Sequence, residues 1–386
     1  MKHKNILLSL YSSQPGGIET YTFNLAKILK EKGFNIIIIA FSSGIMEKKY
    51  LKNNIDYRIF KGGRYNPFYI FKLIRLIKKE NMNLIHLQQP LQVMPLIFFL
   101  FIGLIFKRKI LSTYHSTISA ITMQHNLSFK KYFVKKKYQF IYKCALRVSS
   151  MNIVNSYYLK NELEKDFGNF DIQVSYNGIE TLKPISPEKK REVKDSLSLN
   201  RQDIIIGTLS RISPEKGLEF FFEVLMKIKK LTSSRLKAIH IGDSSDPKNN
   251  KYKTELMHYV KMQNLEKDII FTGFQPDPSS LLSILDIFIL TSRIESFGLA
   301  VIEAMSQQKP VVAFDIGGVR EIVMDGETGF LVPYGDINTF TNVVLKLIDS
   351  PSLRKEMGVA GYERYCRYFS LISMGDNIEG FYRKIL

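Results

Sequence analysis

The sequence has few cysteines and no long uninterrupted apolar run. Its two cysteines, Cys144 and Cys366, are too few for a disulfide framework and lack metal-ligand spacing, which indicates a reducing compartment. The most apolar stretch, Val93–Phe106, has 14 residues, fewer than the ~20 that a membrane-spanning helix needs. It is consistent either with a buried helix or with a helix lying in a bilayer surface. Residues 1–10 are too short for the core of a secretory leader, so we expect a cytoplasmic protein.

Acidic residues are scarce in the first half of the chain. Residues 1–180 contain 27 basic and 10 acidic residues, whereas residues 181–386 contain 28 and 26. No acidic residue occurs between Asn81 and Asn161, and this window contains basic runs at 107–109, 130–131 and 135–137. Solvated faces usually mix the two signs, so the window predicts a positive potential that attracts the phosphates of nucleic acid or of anionic lipid.

Short apolar runs alternate with helical stretches in both halves of the sequence. The predicted strands are Asn5–Leu10, Ile36–Ala40, Ile55–Phe60, Leu84–Leu87 and Ile110–Tyr114, then Ile204–Leu209, Leu236–Ile241, Asp268–Phe271, Ile287–Leu290, Pro310–Phe314 and Gly329–Val332. Continuous apolar runs are typical of parallel strands covered on both faces. The pattern therefore predicts the α/β class, with two doubly wound, Rossmann-like parallel-sheet domains facing a cleft.

The length of 386 residues suits two domains. Residues 181–200 are polar and contain two prolines, which predicts a linker. The domains would then be an N-terminal domain over 1–180 and a C-terminal domain over 201–365. A final helix over 366–386 is expected to pack back on the N-terminal domain.

Gly16 and Gly17 follow the first predicted strand and precede a helical stretch that ends near Lys32. Glycines allow positive φ and a close approach of the backbone to a ligand, and the helix start offers N–H groups to an anion or a sugar. The pair is also compatible with a plain turn. It is not part of a G-x-G-x-x-G sequence, and no acidic residue lies ~20 residues on, which argues against a dehydrogenase-type dinucleotide fold.

Arg211 and Lys216 lie between the predicted strand Ile204–Leu209 and a helix. This position is the carboxyl end of a strand, where open α/β sheets bind ligands. Two cations there could neutralise a pyrophosphate without a metal ion, Arg211 in a forked manner and Lys216 as a point charge. The alternative is a pair of surface cations around a turn.

Two glutamates, Glu295 and Glu303, are separated by seven residues. Ser296 is the predicted N-cap of a helix, and Glu303 would lie about two turns inside it. The intervening apolar residues suggest that this helix is buried: Phe297, Leu299, Val301 and Ile302. Carboxylates accept hydrogen bonds from the paired hydroxyls of a sugar or ribose, and the helix start near Gly298 and Leu299 could receive a phosphate. Alternatively, Glu303 pairs with a core cation and Glu295 caps a loop.

These three features, in this order, resemble the retaining glycosyltransferases of family 4, which have the glycosyltransferase-B fold. The similarity covers most of the chain and is strongest over 210–217, 295–303 and 317–323. Residues 176–179 also resemble the family's segment at the domain junction. Arg320 departs from the pattern, because many relatives have proline at this position.

The resemblance implies roles for individual residues. Arg211 and Lys216 would hold the donor pyrophosphate, Glu295 the transferred sugar, and Glu303 the nucleotide ribose. His115, a structural histidine by its sequence context alone, would lie near the anomeric centre. The remaining donor-binding residues would be Gly16, Gly17, Phe297, Gly298 and Leu299.

The implied activity is a metal-independent, retaining hexosyl transfer from a UDP- or GDP-sugar, without a cofactor. The chain has no Asp-x-Asp sequence, which agrees with this expectation. We expect the acceptor to be a lipid-linked or cell-surface polysaccharide intermediate, and we expect the basic half to associate peripherally with the inner face of an anionic membrane. The alternatives are a sugar-nucleotide epimerase of similar fold and, less favoured because no nucleic-acid motif is present, a basic nucleic-acid-binding protein.

Overall fold

A computed structural model describes residues 4–11, 16–60, 69–89, 107–122, 128–180, 185–244 and 249–386, without the side chains of residues 69, 122 and 128–131. The chain forms two compact units. The first unit combines Met1–Glu180 with Tyr368–Leu386, and the second consists of Thr181–Arg367. The Val93–Phe106 run lies outside the described residues. Within them, no helix is both long enough and apolar enough to cross a membrane.

The first unit contains a parallel sheet with the strand order β3-β2-β1-β4-β5-β6-β7. Its strands are β1 (Asn5–Leu10), β2 (Asn35–Ala40), β3 (Asp56–Ile59), β4 (Leu84–Gln88), β5 (Lys109–Tyr114), β6 (Met151–Val154) and β7 (Ile172–Val174). The connecting helices are α1 (Gly17–Glu31), α2 (Met46–Lys52), α3 (Tyr69–Lys79), α4 (Ile118–Thr122), α5 (Ser128–Val148) and α6 (Tyr157–Phe167).

Both faces of this sheet are covered by apolar side chains. Along β1, Leu7 packs into one cluster with Ile39 and Ile85, whereas Ile6 and Leu8 pack into another. Because neighbouring side chains in a strand point to opposite faces, both sets must be apolar. This explains why the strand appears as a continuous apolar run.

The second unit contains a parallel sheet with the strand order β10-β9-β8-β11-β12-β13. Its strands are β8 (Ile204–Leu209), β9 (Leu236–Ile241), β10 (Ile269–Phe271), β11 (Ile287–Leu290), β12 (Val311–Phe314) and β13 (Gly329–Val332). Its helices are α7 (Pro187–Ser196), α8 (Leu218–Leu231), α9 (Asn250–Met262), α10 (Ser279–Ser283), α11 (Leu299–Ser306), α12 (Val319–Ile322), α13 (Ile337–Asp349) and α14 (Pro351–Arg364). The two doubly wound sheets confirm the predicted fold class.

The segment predicted as a linker, 181–200, contains helix α7 and belongs to the second unit. Ser186 caps this helix by accepting a hydrogen bond from the N–H of Lys189, and Pro187 occupies the first helical position. The prediction was wrong because α7 buries none of its residues, so no apolar periodicity marked it.

The chain returns to the first unit through α15 (Leu371–Ile385). Four of its side chains, spaced three or four residues apart, enter the cluster that contains α1: Leu371, Met374, Ile378 and Tyr382. Burial of each contributes about 1.5–3 kcal/mol relative to exposure. The Tyr382 hydroxyl also lies 2.7 Å from Nδ1 of His86, a strand residue at the centre of the sheet.

Candidate functional site

In each unit the strand order reverses next to the first strand. In the first sheet the chain proceeds outward from β1 in one direction and restarts at β4, and in the second it proceeds outward from β8 and restarts at β11. Open α/β sheets bind ligands at the carboxyl ends of strands beside such a reversal. The predicted site residues follow β1, β8 and β11 or lie in the segments just beyond them, except His115, which follows β5, the strand next to β4.

In the second unit the loops after β8 and β11 meet through Lys216 and Glu295. Lys216 ends a short 3-10 turn, and its ammonium group binds Oε1 of Glu295. Ser292 Oγ donates to the same oxygen at 2.9 Å. The two charged side chains are largely enclosed, with 20% and 13% of their surfaces exposed. The pair therefore places one cation and one carboxylate together at the strand-order reversal.

A close backbone contact holds these loops together. Gly217, directly after Lys216, has a φ of +56°, and a Cβ built on it would lie 2.3 Å from the carbonyl oxygen of Thr291. Gly318 supports the other side of the β11 loop by donating its N–H to the Glu295 carbonyl oxygen at 3.2 Å. A Cβ on Gly318 would lie 2.4 Å from the carbonyl oxygen of Ser296.

Arg211 lies on the β8 loop but forms its ion pair elsewhere. Its exposed guanidinium lies 3.2 Å from Glu215, and the structure does not bring it onto the Lys216–Glu295 pair. The side chain is 55% exposed, so it is accessible to an anion.

Helix α11 begins later than the sequence predicts. Gly298, with a φ of +117°, precedes its first residue, Leu299, and no side chain caps it, so the prediction of Ser296 as N-cap was wrong. The left-handed turn at Gly298 delays the helix, because a capping residue needs extended backbone directly before the first turn. Glu303 is consequently the fifth residue of α11, about one turn inside rather than two, and is half-buried, while Phe297 is buried.

In the first unit, His115 directly follows β5 and is buried. Its Nε2 donates to Oε1 of Gln88 at 3.0 Å, and its ring lies 4.7 Å from the Tyr21 ring of α1. Burial lowers the pKa of His115 to about 3. The imidazole is therefore neutral near pH 7, which suits it to hydrogen bonding rather than to pairing with an anion.

Gly16 and Gly17 occupy the start of α1. Gly17 is the first helical residue, and Gly16 caps the helix in extended conformation, with a φ of −173°. Gly16 needs no positive φ, because an extended N-cap leads directly into the first turn. The Tyr21–His115 ring contact shows that the beginning of α1 and the end of β5 lie close together within this unit.

Two family models match the chain. The model described as Glycosyltransferase Family 4 matches residues 15–182, and that described as Glycosyl transferases group 1 matches residues 189–364. Together they leave out only the two ends of the chain and a six-residue gap. The chain is a family 4-like glycosyltransferase of the glycosyltransferase-B fold.

Individual relatives are distant. The chain is 23% identical to N-acetyl-alpha-D-glucosaminyl L-malate synthase of Bacillus anthracis, covering 96% of this chain and 94% of that protein. It is 28% identical to the capsular polysaccharide biosynthesis glycosyltransferase CapM of Staphylococcus aureus, over 55% of this chain and 54% of CapM, about half of its length. Anabaena Alr3699/HepE in complex with UDP-glucose has a similar structure, with a TM-score of 0.84 at 23% identity over 99% of this chain and all of that one.

Arg293 anchors the glycosyltransferase's Glu295 loop, a role that sequence analysis missed. Its guanidinium binds Glu219 and donates to the Tyr334 hydroxyl at 2.9 Å, and its backbone N–H donates to the Glu215 carbonyl oxygen at 2.8 Å. The two side-chain partners are 74 and 41 positions away in the sequence. Local spacing therefore carried no signal for this network.

Nine buried side-chain polar atoms of the glycosyltransferase make no hydrogen bond within the described residues. Three of the nine belong to residues of the site loops or to the partner of His115: Ser213 Oγ and Thr291 Oγ1 in the second unit and Gln88 Nε2 in the first. Buried polar groups usually have partners, so these atoms are candidate contacts for a substrate. No three His, Cys, Asp or Glu side chains in the described part of the chain are gathered as they would be around a metal ion.

Acidification is expected to destabilise the glycosyltransferase through its buried histidines. Burial lowers the pKa of His86 and of His115 to about 3 and that of His240 to about 4. Between pH 6.5 and these values the unfolded chain binds protons that the folded chain does not, so the free energy of unfolding falls as the pH falls. Each histidine contributes a slope of up to about 1.4 kcal/mol per pH unit in this window and none above it.

Thermal unfolding from pH 7 to pH 4 tests this expectation. His86→Gln should reduce the slope of the free energy of unfolding against pH by the equivalent of about one proton. Equal slopes for wild type and His86→Gln would contradict the assignment of His86 as a buried neutral group.

Proposed function

We propose that the protein transfers a hexosyl group from a UDP- or GDP-sugar to a glycan acceptor, with retention of anomeric configuration and without a metal ion or cofactor. The observation that carries the proposal is the Lys216–Glu295 pair at the strand-order reversal of the second unit. A cation suited to a diphosphate and a carboxylate suited to sugar hydroxyls lie side by side there.

In the proposed donor site, each group of the nucleotide sugar is bound by a different set of residues. Arg211 and Lys216 hold the pyrophosphate, together with backbone amides near Gly298 and Leu299 at the start of α11. Glu295 binds the transferred sugar, and Glu303 binds the ribose. Residues Gly16 and Gly17 approach the donor, and Phe297 supports the loop from the core. The UDP-glucose bound by Anabaena HepE, a protein of the same fold, supports this class of donor.

Cleavage of the sugar–phosphate bond develops negative charge on the leaving nucleoside diphosphate. In this proposal Lys216 and Arg211 stabilise that charge electrostatically, Arg211 after leaving Glu215. We propose front-face attack by the acceptor, with the leaving phosphate oxygen removing the acceptor proton. His115, neutral because it is buried, would donate or accept a hydrogen bond at the reacting sugar without adding charge.

The proposed acceptor is a lipid-linked or cell-surface polysaccharide intermediate at the inner face of the membrane. CapM, whose name places it in capsular polysaccharide biosynthesis, supports a polysaccharide product. The excess of basic residues in the first half supports peripheral binding to an anionic membrane, where such an acceptor would be presented. Nucleic acid is not proposed as a partner.

Product analysis tests the activity. With an α-linked UDP- or GDP-sugar donor, NMR of the product should show an α-linkage, and EDTA should leave the rate unchanged. Incubation with donor alone provides the control, because an epimerase would convert the donor sugar without any acceptor. A β-linked product would refute retention, and acceptor-independent epimerisation would refute transfer.

A further inference from the structure

Helix α5 presents large aromatic side chains to solvent. Tyr132, Phe133 and Phe140 are 58%, 58% and 61% exposed. The opposite side of the same helix is anchored in the first unit's core through Ile141, Tyr142, Ala145 and Leu146. The helix is therefore fixed in place while its outer side leaves apolar area in water, which soluble proteins usually restrict to interaction sites.

The charged residues on the same outer side are all basic. Residues 132, 136, 140, 143 and 147 follow one another at helical spacing, so Lys136, Lys143 and Arg147 lie on one stripe with Tyr132 and Phe140. All of these side chains are exposed, and Lys136 Nζ lies 5.7 Å from the Tyr132 ring centre. The 21-residue helix has no acidic residue. We call this set, with Phe133, the α5 face.

We propose that the α5 face docks on an anionic lipid bilayer, with its aromatic rings at the headgroup level and its lysines and arginine against lipid phosphates. Amphipathic helices that lie in an interface combine these two side-chain classes on one side. A single convex helix about 30 Å long suits a flat surface, whereas single-stranded nucleic acid is usually held in a groove. The inference rests on the proposed function for its biological sense, because docking would bring the enzyme to a lipid-linked acceptor.

Vesicle flotation of the full chain tests the proposal. We expect binding to vesicles with about 30% phosphatidylglycerol at about 0.05 M salt, and little binding to pure phosphatidylcholine. Lys136→Glu combined with Lys143→Glu should weaken binding by about 25-fold or more, because the loss of each lysine weakens binding about fivefold. The matched control is Lys189→Glu with Lys194→Glu on α7, which makes the same charge change on the second unit and should alter binding less than about twofold.

The aromatic contribution is tested separately. Phe133→Ser with Phe140→Ser should weaken vesicle binding by about tenfold, whereas Phe274→Ser, which alters a residue 50% exposed in the second unit, should not. Unchanged thermal unfolding would show that each variant remains folded. Wild-type vesicle affinity in both α5 variants, no flotation of the wild type at low salt, or preferential binding of the face to a single-stranded RNA competitor would overturn the proposal.

A thermal shift with UDP- and GDP-sugars, measured on the same proteins, separates the two hypotheses. The α5 variants should keep the wild-type donor shift, because the proposed donor residues lie in the second unit or, like Gly16 and Gly17, outside α5. Loss of vesicle binding with an intact donor shift supports the docking surface. A wild type that floats but shows no donor shift would refute the donor proposal and leave the docking surface standing.

Discussion

Lys216→Ala is expected to lower kcat by about 100-fold or more, the scale seen when one charge-stabilising group is removed from a transition state. Two effects act together in this variant. The leaving diphosphate loses a cation, and Glu295 loses the ammonium group that neutralises it in a largely enclosed position. Arg211→Ala should reduce kcat on a similar scale if Arg211 leaves Glu215 to bind the donor.

Steady-state rates with a nucleotide-sugar donor measure this effect. The matched control is Lys229→Ala, which removes an exposed ion pair with Asp268 at the far end of α8 and should leave kcat within about twofold. Normal turnover in Lys216→Ala would show that the Lys216–Glu295 pair lies outside the donor site.

Gly217→Ala should destabilise the second unit by about 2–4 kcal/mol and reduce activity at the same time. Its backbone is left-handed, which costs a residue with a Cβ about 1–2 kcal/mol. In addition, the new Cβ would lie 2.3 Å from the carbonyl oxygen of Thr291, a backbone atom that cannot swing away. The β8 and β11 loops must then move apart, which separates Lys216 from Glu295.

Gly273 provides a matched control for this substitution. Its φ of +69° is similar, but nothing lies within 4 Å of the position of its Cβ. Gly273→Ala should therefore cost only the conformational term, about 1–2 kcal/mol, and should spare kcat. Urea or thermal unfolding together with kcat measures both effects. Equal losses of stability in the two variants would show that the Thr291 contact does not constrain the loops.

The fold class could be predicted from the sequence because parallel strands buried on both faces are continuous apolar runs. The strands Ile204–Leu209 and Ile287–Leu290 were predicted with the bounds that the structure shows. Strands β6 and β7 were missed, since their three or four residues include polar Asn152 and Gln173 and form no distinct run.

The candidate site was only partly accessible from the sequence. Motif spacing identified Lys216 and Glu295 separately, but not their direct ion pair across 79 positions. The sequence also gives no sign that the hydroxyls of Ser213 and Thr291 lack hydrogen-bond partners. Whether a buried hydroxyl finds a partner depends on residues that are distant in the sequence. The delayed start of α11 depends on the backbone of Gly298, whose left-handed conformation is one of several that glycine adopts.

The return of α15 to the first unit has a consequence for folding during synthesis on the ribosome. All the strands of the first sheet are translated before the second unit begins, yet Met374, Ile378 and Tyr382, which complete its core, are translated after that unit ends. Domains generally fold as their residues emerge. The second unit is therefore complete first, while one apolar face of the first sheet, already packed against α1, stays partly uncovered until the last helix is translated.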